Sequence, residues 1–364
     1  MKNTNAFAFL LLAIWLCSST LLALPIDKEI TETVVVFDTN LSVKEKAKAS
    51  LRFENPDRSN WTNLPVGLAK RPGIQIGELS SESKVRFHNV LTTIFSSQGY
   101  LKLTSIMNLD DVLNQVYAKA FKNNEIDQKT YHEIRDLDWD YENYFITLWG
   151  KPGTTAPWGL KFEGHHISIN LTSNGSDLSI TPLFFGSDPA EVTKTKYAGL
   201  RVLAKEEDYG LRLINSLSDP QKKIATLSRE VPENIITNPE GPKRLERLEG
   251  VAVSDLTPNQ VVLLKRLISE YINNLEYNKR QEFWEQFKKS DMEKVKFAWI
   301  GSYERYKPHY YIIHGLNFII EYDNISWDKK GADHIHTIWR EKGNDFGEDI
   351  LLDHYKTHDH EKGK

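Results

Sequence analysis

An α+β fold follows from three features of the sequence. Helical periodicity fills the first third, aromatic and β-branched runs begin at Tyr144, and a second helical block separates these from further strand-like runs near the C-terminus. The strands are expected to form one mostly antiparallel sheet from mid-chain and C-terminal segments, packed with helices from the N-terminal third and the middle. At 364 residues, 40% of them apolar, the chain can bury a substantial core.

The N-terminus places Lys2 before an apolar run from Ala6 to Leu16, followed by small hydroxyl residues and Leu22-Ala23-Leu24-Pro25. This pattern reads as a secretory signal peptide over residues 1–23, cut near Ala23. Its apolar core is shorter than the roughly 20 residues a membrane span needs, and no later segment resembles a span. The mature chain is therefore expected without a transmembrane segment, exported to a periplasmic or extracellular site. Cys17 is the only cysteine, so a mature chain would hold no thiol; a lipid on Cys17 is disfavoured because Trp15 and Leu16 stand where small residues belong. Residues 24–364 are expected as a single α+β domain, helical to about 140 and sheet-containing over about 141–360.

Helical spacing runs through Leu41 to Ser50, Glu82 to Ser97, Leu109 to Asn123 and Gln128 to Leu137. From Tyr144 come FITLWG, WGLKFEGHHISINLT and LSITPLFFG, with Asn174-Gly175 as a hairpin turn. Asp188-Pro189 and Thr257-Pro258 read as cap-plus-first-turn signals in a block with helices over Leu200 to Ser216, Pro220 to Ser228, Pro258 to Leu275 and Arg280 to Lys288. VKFAWIG, HYYIIHG, NFIIEYDN and HIHTIWR then suit an antiparallel meander, and a last helix is predicted from Glu348 to Thr357.

A net charge of -4, with acidic and basic residues interspersed, gives no electrostatic footprint for nucleic acid. The expected partner is a small molecule, glycan or peptide. Nucleophile-elbow, Walker, dinucleotide-binding and His-Glu-x-x-His patterns are absent from the sequence, which removes the enzyme classes that carry them.

The chemistry that remains is a set of histidines. In a strand, His334 and His336 share a face about 7 Å apart at the backbone, within reach of one metal ion. Read as a single strand, Lys161 to Leu171 puts His166 opposite Ile167, Ile169 and Leu171, making it the third candidate ligand and directing His165 elsewhere. Glu321 interrupts an apolar run, where a buried carboxylate needs water, a cation or a metal. His166, His334, His336 and Glu321 are thus the candidate ligands for zinc, copper, iron or manganese, with Glu321 alternatively a general base. Arg340, on the histidine face, either binds an anionic substrate or pairs with Glu321 or Asp345. The competing reading is that these histidines are hydrogen-bonding groups of a sheet.

Asn344 and Asp345 are read as caps of the last helix, and His354, His358 and His360 as a solvated tail. Trp61, Trp139, Trp149 and Trp158 suit an aromatic core, with ligand stacking as the alternative.

Several of these segments together resemble one known family. WGLKFEGHHISIN, TPLFFGSDPAEV, AGLRVLAKEED, FIIEYDN, DHIHTIWR and NDFGEDILLDHY, in that order, are similar to the family called domain of unknown function 3500. The resemblance covers nearly all of the mature chain and implies a secreted or envelope protein built as one unit. It transfers no catalytic role, because the family carries no established activity. The reading that results is an exported metal-dependent hydrolase or oxidase; the alternative is a non-catalytic extracytoplasmic binding module.

Overall fold

The computed structural model describes residues 25–357 apart from 243 and 290. The predicted leader with Cys17, and His358 and His360, lie outside the described residues.

The helices are α1 (Ile26–Asn40), α2 (Val43–Ala49), α3 (Ser81–Ile94), α4 (Ser97–Lys122), α5 (Gln128–Arg135), α6 (Ala204–Ser216), α7 (Asp219–Ala225), α8 (Pro258–Ile272), α9 (Tyr277–Lys289) and α10 (Glu348–Thr357). Their starts follow the capping chemistry. Ser42 with Glu45 and Thr257 with Gln260 form capping boxes, while Ser80, Ser96 and Asp127 each accept a first-turn N–H. The sequence gives no comparable signal for α1, whose Val34-Val35-Val36 run lowers helix propensity. Burial decides there: Ile26, Ile30, Val34 and Phe37 recur on one helical face and are all buried.

The strands are β1 (Ser50–Leu51), β2 (Ile74–Gln75), β3 (Phe145–Trp149), β4 (Trp158–Gly164), β5 (Ile167–Ser173), β6 (Leu178–Ser179), β7 (Leu183–Ser187), β8 (Thr226–Ser228), β9 (Val251–Ala252), β10 (Lys296–Gly301), β11 (His309–His314), β12 (Phe318–Asn324) and β13 (Ile335–Glu341). They form one sheet with the main order β1-β3-β4-β5-β7-β13-β12-β11-β10-β8, antiparallel except at β1–β3 and β8–β10. The C-terminal meander is as predicted, and the β7–β13 ladder joins it to the mid-chain strands.

Helices cover one face of this sheet, where Phe162, Ile169, Ile320, Tyr322 and Trp339 pack in the larger core with residues of α1, α3, α4, α8 and α9. The opposite face carries a smaller core of Phe184, Ile300, Tyr310, Ile312 and Ile338. Trp61 from segment 52–73, Ile235 from segment 229–250 and Phe346 from the turn leading into α10 close it, and the described residues of 229–250 form neither helix nor strand.

Three local expectations are corrected. The run from Trp158 to Thr172 is two strands, because His165 and His166 form a two-residue turn between Gly164 and Ile167. Asp188-Pro189 opens no helix: residues 189–203 form only bends, turns and irregular chain, and α6 starts at Ala204. Asn344 makes no side-chain cap bond, and Asp345 pairs with Arg340 at 2.6 Å. The four tryptophans assigned to the core are buried, Trp61 and Trp139 at the rim of that range and Trp149 and Trp158 fully. No helix among the described residues is long and apolar enough to cross a membrane.

Candidate metal centre

The strand order determines which histidines meet. β7 lies between β5 and β13, with Ile167 opposite Phe185 on one side and His336 opposite Gly186 on the other. The β4–β5 turn therefore arrives beside the start of β13. Within that turn His166 adopts φ +62°, a left-handed conformation uncommon outside glycine but tolerated by histidine. Its N–H donates to the Asn63 carbonyl at 3.1 Å, and its carbonyl accepts from Gly186 N–H at 2.8 Å. Gly186 is required beneath the ring: a Cβ there would stand 2.6 Å from His166 Cδ2.

His334 and His336 project from the same face of β13 and its approach, as the alternation predicts. Their backbone N–H groups donate to the side chains of Asn324 (3.2 Å) and Asp323 (3.1 Å) on β12. The result is a cluster in which His166, His334 and His336, all buried, each offer a ligand atom within 4.8 Å of the others. His166 Nε2 and His334 Nε2 are 2.7 Å apart. A tetrahedral ion held at roughly 2.0–2.1 Å would set such nitrogens about 3.3 Å apart, so this pair would open by about half an ångström while any wider pair in the cluster closed.

Carboxylates stand behind the imidazoles. Asp323 Oδ2 lies 3.4 Å from His336 Nδ1, and Asp188 Oδ2 lies 3.9 Å from His334 Nδ1. Neither pair is a hydrogen bond at these distances, but each carboxylate stands on the side of its imidazole where an outer-shell partner of a ligating ring would be. Burial, followed by the neighbouring imidazoles, pushes His166 and His334 well below the usual histidine range, so both rings are neutral donors at pH 7. Burial pushes the Asp188 carboxyl up to about 6, with His165 opposing the shift. Asp110 is raised for the same first reason. His336 Nδ1 and Asp323 Oδ2 are buried without a hydrogen-bond partner, and no Lys or Arg pairs with Asp110, Asp188 or Asp323 among the described residues. A cation among the three ring nitrogens would compensate that charge, so the donor set and its surroundings fit a transition-metal ion.

His165 is not directed away. Asp110 on α4 holds its Nδ1 at 2.6 Å, and Tyr144 donates to the other Asp110 oxygen at 3.0 Å. The His165 ring stacks on His166 with centroids 3.9 Å apart and lines the same cleft. That cleft has a volume of about 170 Å³ and is bounded by Asn63, Leu64 and Pro65 on one side and by Glu233, Asn234 and Trp327 on others. Asn63 Nδ2 comes within 3.4 Å of His336 Nε2.

Glu321 and Arg340 stand apart from this cluster. Glu321 lies opposite Ile338, two residue pairs along the ladder from the Asp323–His336 pair, and both its oxygens are occupied. Ile236 N–H donates at 2.9 Å and Thr237 N–H at 3.2 Å, with the Tyr310 and Thr237 hydroxyls completing the set. Arg340 donates to the Thr237 hydroxyl (3.0 Å), the Thr237 carbonyl (2.7 Å) and Asp345 (2.6 Å). The carboxylate that needed a partner thus found peptide N–H groups, and the pair moors segment 229–250 over the sheet. Both residues are corrected from ligand and anion-binding roles to anchors of the segment that carries Glu233 and Asn234 to the cleft.

Some of the missed residues had a sequence signal. Gly186 interrupts a strand pattern, which marks close approach of another group, and Asp323 shares strand parity with Glu321. Asp188 was absorbed by the cap reading. Asn63, Asp110 and Trp327 carried none.

A family model described as "Protein of unknown function (DUF3500)" matches residues 26–348, and the chain belongs to that family. Comparison with curated proteins and with solved structures gave no match.

Proposed function

We propose that the protein is an exported metal-dependent enzyme, a hydrolase or oxidase, whose His166, His334 and His336 hold one transition-metal ion. The observation that carries this reading is the convergence of three buried ring nitrogens within 4.8 Å beside an open cleft. Three nitrogen donors leave a coordination position for water or substrate, as catalytic rather than structural metal sites do. Zinc there would supply an acidified water for hydrolysis, whereas copper or iron would supply oxidising chemistry. The chain's own contribution is orientation. Asp323 and Asp188 stand behind the ligand rings, Asp110 holds His165 beside the cleft, and Asn63 adds an amide at the rim. Export rests on the leader-like residues 1–23 and places the enzyme in the periplasm or outside the cell.

The 2.7 Å contact between His166 and His334 favours a second reading, a metal-free binding module in which two neutral imidazoles share a proton. Elemental mass spectrometry on tag-free protein purified without chelator separates the two. Near-stoichiometric metal that disappears in a still-folded His334→Ala, His336→Ala variant is the expected result. No metal in either protein, even after reconstitution, would leave only the binding module.

A further inference from the structure

Trp327 is 70% exposed, yet its ring lies 5.2 Å from His334 at a tilt of 58°. A large apolar side chain left in water beside a polar centre is the observation that needs a reason. The other tryptophans quoted above fill the core. Trp327 instead sits on the loop between β12 and β13 and forms one wall of the cleft, with Leu64, Pro65 and Ile325 supplying further carbon surface. Asn63, Asn234 and Ser326 join the histidines along the remainder, yet most of the surface open to the cleft is carbon. At the mouth, Lys329 pairs with Glu233, both more than half exposed. Such a pair is worth little and opens at small cost.

We propose that this cleft is a subsite for a small aromatic ring, stacked on Trp327 while a polar group on the ring's edge reaches the ion; the proposal rests on the metal reading above. Volume sets the size. A water-sized position takes about 10–15 Å³ of such space, so 170 Å³ admits a ligand of about ten non-hydrogen atoms, one ring with one functional group. Lining sets the class. A monosaccharide also stacks on indole, but its several hydroxyls would each lose water against a surface that is mostly carbon, and only those reaching Asn63, Asn234 or Ser326 would regain a partner. An aromatic ring has no such debt and gains both area burial and a ring–ring contact.

The test uses cobalt(II)-loaded protein, whose visible spectrum reads a ligand entering the coordination shell. Acetohydroxamate and benzohydroxamate carry the same chelating head without and with a ring, and cyclohexanecarbohydroxamate carries a saturated one. Benzohydroxamate is expected to bind about ten-fold more tightly than acetohydroxamate. Trp327→Ala should largely abolish that ratio and leave acetohydroxamate binding unchanged, and Trp327→Phe should retain most of it. Equal affinities in the parent, a ratio indifferent to Trp327→Ala, or a cyclohexyl compound binding as well as the phenyl one would each overturn the aromatic subsite while the metal centre stands. Absence of any cobalt spectrum sensitive to His334→Ala would overturn the centre and the subsite together.

Discussion

Gly186→Ala adds one methyl group and tests the centre from its floor. The new Cβ would meet His166 at 2.6 Å from Cδ2, 2.8 Å from Cγ and 3.0 Å from its Cβ. Ordinary carbon contacts begin near 3.5 Å, so the ring must retreat by about 1 Å. The His166 backbone is pinned on both sides by hydrogen bonds to Asn63 and Gly186, which leaves rotation of the ring as the main escape. A metal–nitrogen bond tolerates about 0.2 Å, so the displaced ring ceases to be a ligand. Metal affinity should fall by at least the 10- to 100-fold typical of a lost supporting contact, and overpacking should cost about 1–3 kcal/mol of stability. Competition with a chromophoric chelator and a denaturant titration read the two quantities. The decisive comparison is the double variant Gly186→Ala, His166→Ala. Removing the ring removes the two shortest contacts and leaves only the Cβ at 3.0 Å, so the double variant should lose less stability than the sum of the two single variants while metal binding stays lost. Unchanged affinity in Gly186→Ala, or strictly additive stability losses, would refute the proposed packing.

Two further outcomes are expected. Glu321→Gln replaces an acceptor with a donor facing the Thr237 N–H and hydroxyl, so it should cost about 1–3 kcal/mol and speed hydrogen exchange in segment 229–250. Metal content should not change; its loss in a folded variant would restore Glu321 as a ligand. Glu45 accepts from Ser42 N–H and Ser80 N–H, both at 2.7 Å, and so ties the start of α2 to the start of α3. Burial opposes ionisation, but these N–H groups and the Ser42 and Ser83 hydroxyls prevail and hold the carboxyl at about 2. Because the folded value is depressed, its stabilisation is present above the unfolded value of 4.5 and is lost as pH falls towards 2. That loss is at most about 3 kcal/mol. Stability measured between pH 5 and 2 should fall more steeply in the parent than in Glu45→Gln, and parallel curves would refute the assignment.

Local pattern was enough for much of this protein. Period-two alternation placed His334 and His336 on one face, because a strand allows no other arrangement for residues two apart. Ser/Thr/Asp caps marked most helix starts because unsatisfied N–H groups need an acceptor nearby in sequence. The apolar run around Glu321 correctly marked a carboxylate that needs a partner. It could not name that partner, since Ile236 and Thr237 come from a segment with no periodicity of its own.

The sequence by itself determined the α+β class, the C-terminal meander and the paired histidines, all of which depend on neighbours within a few positions. Tertiary structure alone decided that α1 is a helix despite its valines and that His165 and His166 make a turn. It also decided that β7 brings that turn to β13 across 168 residues of chain. The reason is physical. Caps and strand parity are properties of adjacent peptide units, whereas the centre depends on which strands pair, and pairing is chosen by burying both faces of the sheet at once.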